Sequence, residues 1–349
     1  MSNVRAARLS RRGVLAAGGA LGLGAALAAC GDDDAKSTGS GSPASASAKS
    51  GPWSFKDDRG TTVKLDAIPA NIVAFTGVAA ALFDYGIQVK GVFGPTKTAA
   101  GKADVQAGDM DVSKVTVLGN VWDEFNVEKY AALAPDVLIS TMFDSAGTLW
   151  YVPEASKDKI AGLAPSVGIS VYDRQLTAPL QRMWELAESL GADMKAAAVT
   201  DAKKKFEAAA ARLRAAAKAK PEIKVMAGSA SAELFYVSGT NLSIDLEYFK
   251  SLGVNFVEPP ESAKAQGGGW YESLSWENVD KYPADIIMMD DRSSTIQLAD
   301  IAEATWKKLP AVKAGQVIAR SPEPILSYGK CVPLLENLAA ALEKAKKVS

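Results

Sequence analysis

The residues best suited to chemistry are aromatic side chains and one arginine, in loops at or near the ends of predicted strands. They are Trp122, Phe143, Trp150, Tyr151, Tyr236, Trp270, Tyr271, Arg292 and Tyr328. Aromatic rings cover apolar ligand surface, at about 25 cal/mol per Å², while Arg and Tyr donate hydrogen bonds to ligand oxygens. This pattern is typical of a binding site. Core packing of Trp122 and Trp150, and pairing of Arg292 with Asp290 or Asp291, remain the alternatives.

The sequence contains no histidine. This composition excludes a Ser-His-Asp hydrolase, a His-ligated zinc site and a His-dependent proton shuttle. Acidic doublets are typical of solvated turns, and no nucleophile elbow or P-loop stands in a strand-turn-helix context. We therefore expect no catalytic residues, no cofactor and no metal held by the protein. An exported enzyme using paired carboxylates is the alternative.

Short apolar runs alternate with helical stretches along the chain, which is typical of an α/β fold with mostly parallel strands. These elements must position the loops. Strands are predicted at 71–75, 89–93, 115–118, 137–141, 167–171, 223–227, 234–237, 286–289 and 317–319. Later helices are predicted at 244–252, 276–282, 301–308 and 332–347. Between the two groups of strands, residues 193–219 lack Gly and Pro and repeat apolar residues at steps of three and four. They predict one helix about 40 Å long, for which a dimeric coiled coil is the alternative.

An internal echo relates the two groups of strands. In each, a glutamate (Glu128 or Glu277) precedes an aspartate (Asp136 or Asp285) by eight residues, with a proline before the aspartate and an apolar strand after it. The echo predicts two duplicated lobes joined by the long helix. Ligands bind beyond the carboxyl ends of strands in such sheets, so we expect a cleft between the lobes.

The first thirty residues have the form of an export signal. Four arginines and no acid precede an apolar run too short and too Gly-rich to span a bilayer. Arg11 and Arg12 resemble the twin-arginine signal, with Sec export as the alternative. Leu27-Ala28-Ala29-Cys30 resembles a bacterial lipobox, which predicts lipidation of Cys30 and anchoring to the outer face of the cell membrane. From Cys30 onward 35 basic residues face 40 acidic ones, which argues against a nucleic acid partner.

The echo, the lipobox and the run Leu186 to Asp193 resemble the iron-siderophore and cobalamin class of ABC-transporter substrate-binding proteins. The resemblance covers about residues 53–349. It implies two Rossmann-like lobes joined by one long α-helix, with the ligand cleft between them. The predicted divisions are a signal peptide (1–29), a lipidated tether (30–51), a first lobe (52–192), the joining helix (193–220) and a second lobe (221–349).

The resemblance also implies a monomer that delivers its ligand to an ABC permease dimer with ATPase subunits. Glu128 and Glu277 match the family's permease-docking acids, with Glu124 competing in the first lobe and ordinary first-turn helix acids as the alternative. A ferric siderophore whose iron is held by the chelator fits the aromatic loops. A triply anionic catecholate complex favours a cluster of basic residues, whereas only one arginine is among the candidate residues. This favours a hydroxamate. Cobalamin and haem remain alternatives.

Overall fold

The computed structural model describes residues 51–349. The predicted signal peptide, its twin-arginine motif, the lipidated Cys30 and the tether up to residue 50 lie outside the described residues. In the part described, none of the helices is long and apolar enough to cross a membrane.

The first lobe contains a small hairpin and a five-stranded sheet. Its strands are β1 (Trp53–Lys56), β2 (Thr62–Leu65), β3 (Ile72–Phe75), β4 (Gly91–Phe93), β5 (Thr116–Gly119), β6 (Val137–Met142) and β7 (Ser166–Ser170). Its helices are α1 (Thr76–Asp84), α2 (Val127–Ala132), α3 (Lys157–Ala161) and α4 (Thr177–Ser189). The sheet is parallel throughout, in the order β5-β4-β3-β6-β7. Its central strands are buried on both faces, as expected for a sheet covered by helices.

One long helix, α5 (Ala197–Ala219), leads to the second lobe. It begins four residues later than predicted, because the Asp193 carboxylate accepts the backbone N–H of Lys195 at 3.0 Å and closes a turn first. The face with Phe206, Ala209 and Leu213 is buried. Its small alanines allow the C-terminal helix to pack closely along it.

The second lobe repeats the strand order of the first. Its strands are β8 (Val225–Ala230), β9 (Leu234–Ser238), β10 (Tyr271–Ser275), β11 (Ile286–Asp290) and β12 (Val317–Arg320), in the order β10-β9-β8-β11-β12. Its helices are α6 (Ile244–Ser251), α7 (Glu261–Lys264), α8 (Ala304–Lys308), α9 (Pro310–Lys313) and α10 (Tyr328–Lys344). Numbered within each lobe, both sheets read 3-2-1-4-5, the order of a dinucleotide-binding fold. The predicted fold class is confirmed, whereas the lobe boundaries stay a prediction.

The second lobe contains an exception to the mostly parallel strands and one wrong prediction, the helix at 276–282. The sheet is mixed, because β9 runs antiparallel to both β8 and β10. The connection from Ala230 to Leu234 is too short for the crossover that parallel strands need. The helix predicted at 276–282 is a single 3-10 turn, Trp276–Asn278.

The aspartates of the echo make the same kind of hydrogen bond in both lobes. In the first lobe the Asp136 carboxylate accepts the backbone N–H groups of Ala70 and Asn71, both at 2.8 Å, just before β3. In the second lobe the Asp285 carboxylate accepts the N–H of Lys224 at 2.8 Å, just before β8. Each aspartate therefore ties the start of one central strand to that of its neighbour. The repeated letters mark equivalent positions in the two lobes.

Candidate functional site

A cavity of about 440 Å³ lies between the lobes, where loops leave the carboxyl ends of strands in both sheets. Phe143 follows β6, Arg292 follows β11 and Glu323 follows β12. Strands β6 and β11 flank the point where the strand order reverses, which is the usual ligand position in open α/β sheets, and β12 lies next to β11. The lining residues are Phe143, Asp144, Trp150, Ser229, Ser238, Ser243, Trp270, Tyr271, Asp290, Arg292, Arg320, Pro322 and Glu323.

Aromatic rings in mutual contact form the first-lobe wall of this cleft. The ring of Trp150 lies 4.6 Å from Phe143 and 4.7 Å from Trp122, and Trp122 lies 5.1 Å from Tyr151. Trp122 is 53% exposed, far more than a packed core residue. Trp122 and Tyr151 do not line the cavity but adjoin Trp150 beside it. The wall therefore offers apolar surface that no protein group covers fully.

The loop carrying this wall is fastened to β6. The backbone N–H of Trp150 donates to the carbonyl of Thr141 at 2.8 Å, and the Ser140 hydroxyl donates to the carbonyl of Trp150 at 2.8 Å. Tyr151 has a φ of +59°, a conformation that is sparsely populated by residues with a side chain. Such strain persists only where the surroundings over-determine it, as at ligand sites.

Tyr151 keeps its proton at physiological pH. Burial and the nearby Glu323 carboxylate raise the pKa of Tyr151 to about 12. A phenol with this pKa is neutral at pH 7 and retains an O–H that can donate a hydrogen bond.

The second-lobe wall comes from the loop before β10 and from β10 itself. Trp270 lies 6.2 Å from Phe143 of the opposite lobe, and Tyr271 packs edge-on against Tyr236 at 5.1 Å. Gly268 and Gly269 precede the tryptophan with positive φ values of 63° and 89°. These glycines allow the chain to turn the Trp270 ring into the cleft. Tyr236 lies behind Tyr271 and outside the cavity lining.

Arg292 is held between two carboxylates. Its Nε lies 3.1 Å from both Asp290 oxygens, its Nη2 donates to Asp290 at 2.7 Å, and its Nη1 donates to Glu323. Although burial lowers the pKa of Arg292, its hydrogen bonds to Asp290 and the charge of Glu323 raise it overall. A guanidinium has five N–H groups, so two have no bond within the described residues and can reach a ligand.

Sequence reasoning missed Glu323 and Arg320. The Glu323 carboxylate accepts the Trp150 indole N–H at 3.2 Å and the Gln106 amide N–H at 3.0 Å, so it bonds to the first lobe. Arg320 is 4% exposed and pairs bidentately with Asp245 at 2.8 and 2.9 Å. Both follow or end β12, the same strand-end signal that pointed to Arg292. Inspecting every polar residue at that edge would have found them.

Tyr328 was predicted to bind the ligand, but the structure places it outside the cleft. It begins α10, is 7% exposed, and its ring lies 5.3 Å from Phe206 and 5.8 Å from Trp184. Ser327 caps the helix by accepting the N–H of Lys330 at 3.3 Å, which directs the Tyr328 ring into the layer between helices and away from the cleft. Its helix neighbour Cys331 is also buried, and burial raises the pKa of that thiol.

The two proposed docking acids are exposed at equivalent places in the lobes. Glu128 lies in the first turn of α2 and Glu277 in the turn after β10. The backbone N–H of Glu277 and the Ser275 hydroxyl lower the pKa of Glu277, which keeps that carboxylate charged. The competing Glu124 carboxylate accepts the N–H of Asn120 at 2.7 Å. Glu124 is thus engaged in its own turn, which favours Glu128.

The described residues contain no group of three His, Cys, Asp or Glu side chains arranged to hold a metal ion.

Comparisons with known proteins agree with this geometry. Residues 72–324 match the family described as Periplasmic binding protein. The chain is 80% identical to DesE, a ferric-siderophore receptor protein from Streptomyces coelicolor, covering 85% of this chain and 100% of DesE with a TM-score of 0.84. Comparison with curated proteins gave no significant match.

More distant structures share the fold. A siderophore periplasmic binding protein from the fuscachelin gene cluster of Thermobifida fusca is 22% identical, with a TM-score of 0.58 over 79% of this chain and 96% of that one. The substrate-binding protein PiuA from Streptococcus pneumoniae is 21% identical, with a TM-score of 0.60 over 86% of this chain and 100% of that one. At such identities the likeness concerns the fold alone.

Proposed function

The chain belongs to the periplasmic binding protein family, and we propose that it captures a ferric siderophore outside the cell membrane for import by an ABC transporter. The observation that carries this proposal is the ring-lined cleft at the facing strand ends of two lobes. The 80% identity to DesE, a ferric-siderophore receptor, supports the same ligand class.

The rings and donors of the cleft match the surface of a wrapped iron chelate. Trp150, Phe143 and Trp270 can cover the methylene segments of the chelator by apolar burial. The two uncommitted N–H groups of Arg292 can donate to oxygens around the iron, and the protonated Tyr151 beside the cavity is a further donor for a ligand that extends past Trp150. The protein binds the organic shell and leaves the metal coordination unchanged.

The charges of the cleft favour a hydroxamate ligand. Three hydroxamates neutralise Fe³⁺, whereas three catecholates leave a charge of −3. The lining includes the acids Asp144, Asp290 and Glu323, and both of its arginines are already ion-paired. Excess negative charge repels an anionic complex and tolerates a neutral one.

We further propose that the protein is exported through residues 1–29 and anchored by lipid on Cys30, with the tether ending near residue 51. The lobes are assigned to 52–192 and 221–349, joined by 193–220. Glu128 and Glu277 are proposed to dock on arginines of the permease dimer, because exposed carboxylates pair well with a guanidinium. ATPase subunits on the cytoplasmic side would drive release.

Titration of the purified mature protein tests the ligand assignment. We expect tryptophan emission to fall on adding a ferric trihydroxamate at sub-micromolar concentration, because three tryptophans lie at the cleft. The iron-free chelator is the control for non-specific quenching. Haem and cobalamin are the competing ligands, and a response to either one alone would refute the siderophore assignment.

A further inference from the structure

Glu323 occupies the point where the cleft joins the two lobes. It follows β12 in the second lobe. Its carboxylate accepts hydrogen bonds from Gln106 and Trp150 of the first lobe and from Arg292 of the second. Its side chain is only 10% exposed. Because the carboxylate is enclosed, little water screens the interaction between its negative charge and a molecule that fills the cavity.

This carboxylate decides the charge that Arg292 presents. Asp290 alone already neutralises the guanidinium through its bonds to Nε and Nη2. With Glu323 added on Nη1, the group of three side chains carries a net charge of −1. Arg292 then supplies hydrogen bonds to a ligand without supplying net positive charge.

The second arginine of the cleft does not restore positive charge. Arg320 forms a buried bidentate pair with Asp245, in which both side chains are at most 4% exposed. Asp144 adds a further negative charge at the opposite wall. Its pKa is raised by burial but lowered overall by the N–H groups of Thr148, Gly147 and Ala146.

We propose that Glu323 is a specificity-determining residue, which excludes anionic iron chelates from the cleft because it brings the net charge of the Asp290, Arg292 and Glu323 group to −1. The proposal rests on the function inferred above and deepens it. Coulomb energy scales with the product of charges. One extra carboxylate therefore opposes a triply anionic complex strongly and a neutral complex hardly at all. Glu323 thereby sets the preference between two ligands of similar size.

The variant Glu323→Gln tests this role, because glutamine keeps the size of the side chain and can still accept from Trp150 and Gln106. Dissociation constants would be measured by fluorescence quenching for two probes, an uncharged cyclic ferric trihydroxamate and a triply anionic ferric tricatecholate. We expect the affinity ratio to move toward the tricatecholate by at least about tenfold in the variant. A purely structural effect would weaken the binding of both probes alike and leave the ratio unchanged.

Two further variants are controls. Glu336→Gln removes the same charge from an exposed position on α10 and should leave the ratio unchanged. Glu323→Asp keeps the charge and should keep the wild-type ratio even if it weakens binding of both probes.

The outcomes separate the two proposals. A wild-type protein that prefers the tricatecholate refutes the hydroxamate assignment. An unchanged ratio in Glu323→Gln, or an equal change in Glu336→Gln, refutes the role of Glu323. The first result comes from the wild-type protein alone, and the second from the difference between variant and wild type.

Discussion

Replacing Arg292 by glutamine tests the two roles proposed for this residue, donation to the ligand and pairing with two acids. Arg292 lines the cleft, and two of its guanidinium N–H groups have no partner among the described residues. The other three bind Asp290 and Glu323. The substitution should therefore weaken both ligand binding and folding.

The expected magnitudes follow from these contacts. Each lost ligand hydrogen bond costs about 0.5–1.5 kcal/mol, so two cost about 1–3 kcal/mol. At about 1.4 kcal/mol per tenfold change, the dissociation constant should rise about 5- to 150-fold. The side chains of Asp290 and Glu323 are 2% and 10% exposed. Leaving both without a cation should lower the free energy of unfolding by about 3–5 kcal/mol.

The assay combines urea unfolding with a ligand titration, and Arg182→Gln is the matched control. Arg182 is likewise held between two carboxylates, Asp58 and Glu185, but outside the cleft. We expect Arg182→Gln to bind ligand normally and to lose less stability, because Glu185 is 41% exposed.

Two results would contradict this reasoning. Wild-type affinity in Arg292→Gln would show that the free N–H groups do not reach the ligand. Equal loss of affinity in Arg182→Gln would show that general destabilisation causes the defect.

Three other predictions concern the second lobe, the cleft wall and the docking acids. Although burial raises the pKa of Asp285, the N–H groups of Lys224, Val348 and Ser349 lower it overall. Its stabilisation is thus present above the unfolded value of about 4 and lost as pH falls through the folded value. Asp285→Asn should cost about 2 kcal/mol at pH 7 in urea unfolding, a deficit that shrinks below about pH 4. Trp270→Ala should weaken binding by about 1–3 kcal/mol in calorimetry, because the ring is a cleft anchor; unchanged affinity would remove it from the site. Glu128→Gln with Glu277→Gln should leave ligand affinity intact yet reduce cellular uptake of labelled chelate at least about tenfold, as expected if two charged contacts with the permease are lost. Normal uptake would exclude these acids from docking.

Strand and helix positions depended mainly on local sequence and were largely predictable. β3, β6 and β11 are apolar runs buried on both faces, so a run of apolar letters suffices to find them. The hairpin β1–β2 and strand β10 were missed because each alternates buried and exposed residues over only four or five positions. Such a short alternating pattern does not stand out from loop sequence.

Some cleft residues could likewise be predicted from local sequence, and others could not. Trp270 and Arg292 were predicted because an aromatic residue or an arginine in a loop stands out in the sequence itself. Glu323 bonds Trp150 at a separation of 173 residues and Gln106 at a separation of 217. No local pattern encodes such a partnership.

The sequence by itself determined which segments become strands and helices, and that the chain contains two copies of one unit. These features depend on apolar periodicity and on the repeated spacing of a glutamate and an aspartate, both of which are present along the chain itself. Only the tertiary structure decided that Tyr328 packs between helices and that Glu323 pairs with Arg292. The direction of a loop side chain depends on how distant segments pack around it, which neighbouring residues do not specify.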